Sequence, residues 1–237
     1  MSTVDPSTTL GELVTLSPTL AGPLERLGLD YCCGGQRTLR DAAADAGLDL
    51  DAVTAQLAAV EAPPEPEAWA SMGPAELVDH LEATHHAYLW PALARLDALS
   101  AKVESVHAER HSELHDVRRL VLEIRSELEP HLAKEEQVLF PMVRTLTAAT
   151  AAPSFHCGTL RNPISVMLAE HDRAGELLAE LRAATGGYTT PGDGCASYQA
   201  LYDGLAELEA DTHLHVHKEN NLLFPAVLAL ESAVAGR

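Results

Sequence analysis

His131-Leu-Ala-Lys-Glu135-Glu-Gln-Val-Leu-Phe140-Pro141 is written twice in this chain. It returns as His215-Val-His-Lys-Glu219-Asn-Asn-Leu-Leu-Phe224-Pro225, identical at six of eleven positions and displaced by 84 residues. His86 and His171, 85 residues apart, stand one predicted helix upstream of each copy. Four amphipathic stretches carry these residues, approximately 74–100, 113–148, 163–184 and 197–234. Leu77, Leu81, Leu89, Leu93 and Leu96 recur at helical spacing in the first, as do Leu168, Leu177, Leu178 and Leu181 in the third. Nothing alternates at period two over a useful length, so strands are not expected. An internal repeat over four such helices predicts an all-α, up-down four-helix bundle built from two related hairpins.

Residues four apart on a helix lie one above the other, so His131 with Glu135, and His215 with Glu219, each present an imidazole and a carboxylate together. A single His-x-x-x-Glu is more often an exposed polar pair than a ligand set. Its repetition with the same Leu-Phe-Pro flank, and with a histidine upstream each time, points instead to metal. Two hairpins folded together bring four His and two Glu into one core, where carboxylates are costly to bury unless cations neutralise them. Two di- or trivalent ions meet that need, each Glu spanning both, with an oxo, hydroxo or solvent bridge between them. Mixed imidazole and carboxylate donors with few thiolates favour iron, with manganese or zinc as alternatives. The first upstream ligand stays open at this point: the apolar phase of its helix favours His85 over His86, and Trp90-Pro91 disturbs that phase.

Outward from the repeat, the chain has 237 residues, enough for one large domain or two small ones. The stretch 61–67, Glu-Ala-Pro-Pro-Glu-Pro-Glu, removes backbone donors and offers nothing to bury, which marks a boundary. The expected organisation is a small helical domain over 1–61, a linker over 62–72 and the bundle over 73–237. In the first domain Thr38 caps a helix that Gly47 stops, and Cys32-Cys33-Gly34-Gly35 forms a turn.

Lys and Arg number 16 against 35 Asp and Glu, a net charge of −19, so the surface repels phosphate backbones and anionic headgroups. Neither nucleic acid nor membrane is an expected partner. No apolar run approaches the roughly 20 residues of a transmembrane helix. The opening Met-Ser-Thr-Val-Asp lacks a basic segment followed by an apolar one, so no secretory leader is expected and the chain reads as soluble and cytoplasmic. Four cysteines, two of them adjacent, make a poor disulfide framework in a reducing compartment and are expected to be free thiols. The other histidines are expected at the surface. His213 and His217 lie about 200° around their helix from the motif members. His107, His111, His115 and His156 sit at or beyond helix ends. His80 is similar, with support of the site as its alternative.

Asp30-Tyr31-Cys32-Cys33-Gly34-Gly35 with Thr38-Leu39, followed by two His-x-x-x-Glu helices with Lys-Glu and Leu-Phe-Pro flanks, resembles the iron-sulfur cluster repair di-iron proteins. Pro163-Ile164-Ser165-Val166-Met167 leading to Glu170-His171-Asp172, and Lys218-Glu219-Asn220-Asn221, extend the resemblance over nearly the whole chain. It implies a hemerythrin-like four-helix bundle preceded by a small helical domain. His86, His131, His171 and His215 are then terminal ligands, and Glu135 and Glu219 bridging carboxylates, of two iron ions per chain with an oxo or hydroxo bridge. The family's first ligand follows an Asp, here Asp79, by seven residues, which selects His86 over His85. Leu81 stands where the family usually has Ile. Glu127 and Glu170 match family carboxylates near the centre, with supporting or access-path roles.

The function implied is repair of iron-sulfur clusters damaged by nitric oxide or oxidants, through iron donation, through an enzymatic reduction of nitric oxide, or both. Damaged iron-sulfur proteins are the implied clients, and nitric oxide or oxygen the small ligand. A hemerythrin-like sensor or carrier of oxygen or nitric oxide is the alternative, which needs the bundle but not the cysteines. Cys32 and Cys33 are given an iron-transfer or redox role, against a reading as two buried thiols in a helix-joining turn. Cys157, in a connection longer than the family's, and Cys195, in a Gly-rich loop, receive none. The small acidic module on its tether suggests a homodimer.

Overall fold

The computed structural model describes residues 4–61 and 68–236. Among them there is no strand, only two isolated bridges, Thr9 with Thr38 and Phe155 with Gly158. The N-terminal module holds α1 (Leu10–Leu16), α2 (Ala21–Arg26), α3 (Leu39–Asp45) and α4 (Leu50–Ala58). Its helix starts are set by side chains that accept from orphan amides. Thr9 and Glu12 form a reciprocal capping box on α1, Thr38 accepts from the amide of Asp41, and Asp49 from that of Ala52. Gly47, at φ +68°, closes α3 in the left-handed region, as expected of that stop.

Four long helices follow, three of them interrupted by a π turn. The first is α5 (Pro74–Leu81), the π turn Glu82–His86 and α6 (Ala87–His107). The second is α7 (Glu113–Lys134), the π turn Glu135–Leu139 and α8 (Phe140–Ala148). The third, α9 (Arg161–Ala184), is regular; the fourth is α10 (Ala196–Lys218), the π turn Glu219–Leu223 and α11 (Phe224–Ala235). A π turn adds one residue to a helical turn. Glu135 and Phe140, five residues apart, would stand about 140° apart around a regular helix, yet both are buried, and Glu219 and Phe224 repeat the arrangement. The same extra residue lets the adjacent His85 and His86 both turn inward.

The bundle core divides in two. One apolar cluster includes Leu89, Leu93, Leu128, Leu132, Ala174 and Leu208; the other includes Leu81, Leu139, Phe140, Met167, Leu223 and Phe224. On every helix the change from one cluster to the other falls at the repeat histidines and glutamates, so the six polar side chains form a layer between two hydrophobic blocks.

Of the expected linker, 62–67 lies outside the described residues. Its far end is no tether: Ala68–Ser71 forms a 3-10 turn whose Trp69 is buried in the second cluster. The N-terminal module packs on the fourth helix, sharing Val216 and Leu214 with its own core. Asn221 pins the two together. Its side-chain amide donates to the carbonyls of Cys32 (3.1 Å) and Tyr31 (3.3 Å), while its oxygen accepts from Gln36 (3.1 Å). That amide lies against Gly35, where a Cβ would come within 2.5 Å of both the Tyr31 carbonyl and Asn221 Oδ1.

Candidate metal centre

His86, His131, His171 and His215 project Nε2 toward Glu135 and Glu219, and all six residues are at most 2% exposed. The ligand atoms form two groups, each spanning at most 4.8 Å: His131, Glu135, His171 and Glu219; and His86, Glu135 and His215. Glu135 reaches His131 Nε2 with Oε1 (3.3 Å) and His86 Nε2 with Oε2 (3.4 Å). Glu219 reaches His171 Nε2 with Oε2 (3.1 Å) and His215 Nε2 with Oε1 (3.5 Å). Each carboxylate therefore faces both groups, one oxygen to each.

The donor set fits a pair of cations. All four carboxylate oxygens, with His86 Nε2 and His215 Nε2, are buried without a hydrogen-bond partner among the described residues. So many orphaned polar atoms pointing at one another would be strongly unfavourable in a purely structural core. Cations that accept from all of them resolve the cost, and the donors are those suited to iron.

The electrostatics agree. Burial and the facing Glu219 push the Glu135 carboxyl up, but His131 and His86 outweigh them and hold it below the ordinary range; Glu219 is likewise held down by His171 and His131 against its burial. Burial disfavours a charged His131, yet the Glu135 carboxylate lifts it to about 10, and His86 is raised by the same carboxylate. His215 goes the other way, driven well down by complete burial. Two buried anions thus demand positive charge from whatever surrounds them, and cation binding displaces the protons that supply it.

The repeat extends to the groups that orient the imidazoles. Glu136 Oε1 pairs with His86 Nδ1 (2.9 Å), and its counterpart Asn220 pairs with His171 Nδ1 through Oδ1 (2.8 Å). Trp90 Nε1 donates to the same Glu136 oxygen at 2.8 Å. Phe140 lies against the His86 ring (5.3 Å) and Phe224 against the His171 ring (5.9 Å). Glu170 Oε2 pairs with His131 Nδ1 (2.9 Å) and is itself bound by Lys134. The corresponding place in the other half belongs to His85, stacked on His215 (5.4 Å, 13°) and bound by Lys218 at 2.8 Å. An imidazole held through Nδ1 keeps Nε2 free for a metal. Glu136 and Asn220 are absent from the sequence-predicted set, although both copies carry a polar residue directly after the motif glutamate.

Glu127 is not part of this arrangement. It is exposed on α7, with no hydrogen bond or ion pair among the described residues; Glu170 is the carboxylate that reaches His131. His85 does not face the carboxylates: its Nδ1 lies 2.9 Å from Asp211. His80 takes the supporting alternative, with Nε2 2.9 Å from Lys218 Nζ.

Four histidines expected at the surface are wholly or partly covered. His217 is fully buried between Tyr31 (ring centroids 5.6 Å) and Trp69 (6.0 Å), with Nε2 3.2 Å from Thr15 Oγ1. His213 is half-buried, its Nδ1 3.2 Å from Glu25 Oε1. The outward face of α10 is the one on which the N-terminal module sits. His107 is buried at the end of α6, 3.2 Å from Cys195. His111 is half-buried, while His115 and His156 are exposed as expected.

Burial lowers His217 to about 4. In the unfolded chain it takes a proton near its ordinary 6.5, so between those values the unfolded state binds more protons and stability falls as pH falls. From pH 7 to pH 5 the expected loss from this group is about 2 kcal/mol. Urea titrations should show a shallower pH dependence in His217→Gln than in the parent chain over that interval.

Cys32 and Cys33 face the bundle, on the wall of a cleft of about 580 Å³ that Tyr31, Asp172, Arg182 and Glu209 also line. All four cysteines are free, and the Cys32 and Cys33 sulfurs lie 3.9 Å apart. Asp30 builds the turn by accepting from the amides of Cys32, Cys33 and Gly34 (2.9, 3.0 and 2.8 Å) and from the Cys32 thiol at 3.1 Å. Cys33, burial and Asp30 together push the Cys32 thiol well up, so it is held as a thiol. Asn220 Nδ2 donates to the Cys32 carbonyl at 3.4 Å, so one side chain joins this turn to the His171 imidazole.

Residues 76–227 match the Hemerythrin HHE cation binding domain, and residues 6–61 match ScdA_N, described as a domain of unknown function (DUF542). The chain is 38% identical over 222 residues to the "Iron-sulfur cluster repair protein YtfE" of Enterobacter sp. (strain 638) and to that of Escherichia coli O81 (strain ED1a). Each alignment covers 94% of this chain and 97% of the relative. With a paired-carboxylate layer inside an all-α bundle and this likeness along almost its entire length, the chain belongs to the hemerythrin HHE family, among the iron-sulfur cluster repair proteins.

Proposed function

We propose that this chain repairs iron-sulfur clusters damaged by nitric oxide or oxidants, and that two iron ions are held between its hairpins. The name of the relatives supplies the class of activity; the buried oxygens of Glu135 and Glu219, unpartnered among the described residues, carry the metal reading. In it His131 and His171 would hold one iron and His86 and His215 the other, with Glu135 and Glu219 as the carboxylates shared between them. Glu136, Asn220 and Glu170 fix three of the imidazoles through Nδ1. Bound here, the iron pair supplies redox-active cations able to take up a diatomic such as nitric oxide, while a thiolate-free site also releases iron more readily than a thiolate cage.

The domain reading is a thiol-bearing module over 1–61 closing on a bundle over 73–237, acting in the cytoplasm on damaged iron-sulfur proteins. Cys32 and Cys33 receive iron at the cleft mouth. Protein purified without chelator should contain two irons per chain and show charge-transfer absorption of bridged ferric ions; zinc alone would sink the proposal. Added to an iron-sulfur dehydratase inactivated by nitric oxide, it should restore activity. The double variant Cys32→Ala, Cys33→Ala should keep its iron and lose most of that restoration. Iron leaving in step with client recovery supports donation; nitric oxide consumed with iron retained supports reduction. Undiminished repair by the double variant would remove the cysteines from the function.

A further inference from the structure

Cys195 stands in a setting opposite to that of Cys32. It is the N-cap residue of α10, exposed, and about 30 Å along that helix from the metal centre. Its sulfur lies 3.2 Å from Nε2 of His107. That imidazole is only 5% exposed and meets the edge of Tyr198 at 5.4 Å. Its Nδ1 has no partner, so among the described residues the sulfur is the ring's sole hydrogen-bonding neighbour. Lys102 brings positive charge to the same helix start by donating to Ser197 Oγ at 3.0 Å. The nearby carboxylate of Asp193 is occupied by His111 at 2.9 Å and faces Arg110 at 3.8 Å. The first amides of α10, at Tyr198 and Ser197, draw the Cys195 thiol below its ordinary range, and Lys102 adds to the effect. Helix N-termini and adjacent cations activate thiols in this way.

We propose that Cys195 and His107 form a nucleophilic thiol and imidazole pair, separate from the metal centre, at which low-molecular-weight disulfides modify the chain reversibly. The sulfur of Cys195 attacks one sulfur of the small disulfide. A new S–S bond forms, the old one breaks, Cys195 is oxidised and the released half is reduced to a thiol. His107 Nε2 takes the Cys195 proton and returns it to the departing thiolate. Excess small thiol reverses the exchange.

The test exposes the full-length, iron-loaded protein to glutathione disulfide at pH 7 and follows each cysteine by peptide mass spectrometry. Cys195 should acquire the mixed disulfide first, at least tenfold faster than Cys157 and tenfold faster than Cys195 itself in the urea-unfolded chain, with iron content unchanged. His107→Phe, which keeps a ring against Tyr198 but removes the nitrogen, should slow the reaction about tenfold, and Lys102→Gln several-fold. Modification of Cys32 or Cys33 before Cys195 would overturn the proposal. So would equal rates in folded and unfolded chains, a comparison that stands even if the His107 variant fails to fold.

Discussion

Glu135→Leu should leave well under two irons per chain, and Glu219→Leu should do the same, because each carboxylate faces both pairs of histidines and its removal affects both cations. The metal-free fold should survive the change. Without Glu135 the remaining Glu219 carboxylate still has His171 and His131 to hold it below its ordinary range, so the buried charge that is left keeps its partners. Ferrous loading should raise the melting temperature of the parent chain, since a ligand that binds only the folded state stabilises by RT ln(1 + [L]/Kd). The variants should lose most of that rise. Metal analysis with paired melts, before and after loading, checks both halves, and a variant that kept two irons would refute the ligand assignment.

Gly35→Ala should be the most damaging single methyl in the N-terminal module. Its Cβ would meet the Tyr31 carbonyl and Asn221 Oδ1, each at 2.5 Å. The first is backbone and cannot yield without moving the cysteine turn; the second is the pin between module and bundle. A forced contact of this kind costs about 1–3 kcal/mol, which for a chain of this size lowers the melting temperature by roughly 2–12 °C. Tryptic cleavage at Arg26, Arg37 and Arg40 should quicken as the module lifts. Asn221→Ala should show the same cleavage pattern, because it removes the Asn221 amide from the Cys32 and Tyr31 carbonyls and its oxygen from Gln36. Unchanged melting and proteolysis in both variants would mean that the pin does not hold the module in place.

Legibility in the sequence followed the range over which each feature is determined. The repeat revealed the all-α bundle, and it marked the residues that the structure gathers into one buried layer, because helical spacing alone aligns His131 with Glu135 and His215 with Glu219. The choice between His85 and His86 was not available from periodicity, since the π turn Glu82–His86 shifts the helix by one residue and no residue type announces it. His217 and His213 lie on the outward face of α10 taken alone; the module that covers them lies nearly 200 residues earlier in the chain. The burial of His107 has a related cause, since the connection ending at Cys195 folds back over the end of α6. Glu136 was legible in principle: it occupies the same repeat position as Asn220, and both hold an imidazole.

If two irons are held as proposed, the division of ligands between the hairpins has a consequence for biosynthesis. Each group of imidazoles draws one member from either hairpin, and the two glutamates come one from each. A nascent chain that has emerged only as far as α8 therefore presents a loose trio of donors and no finished seat for either ion. Loading must then wait until the π turn after α10, which carries Glu219, has left the ribosome, so a newly made molecule passes through a complete but iron-free stage whose lifetime is set by the local supply of ferrous iron.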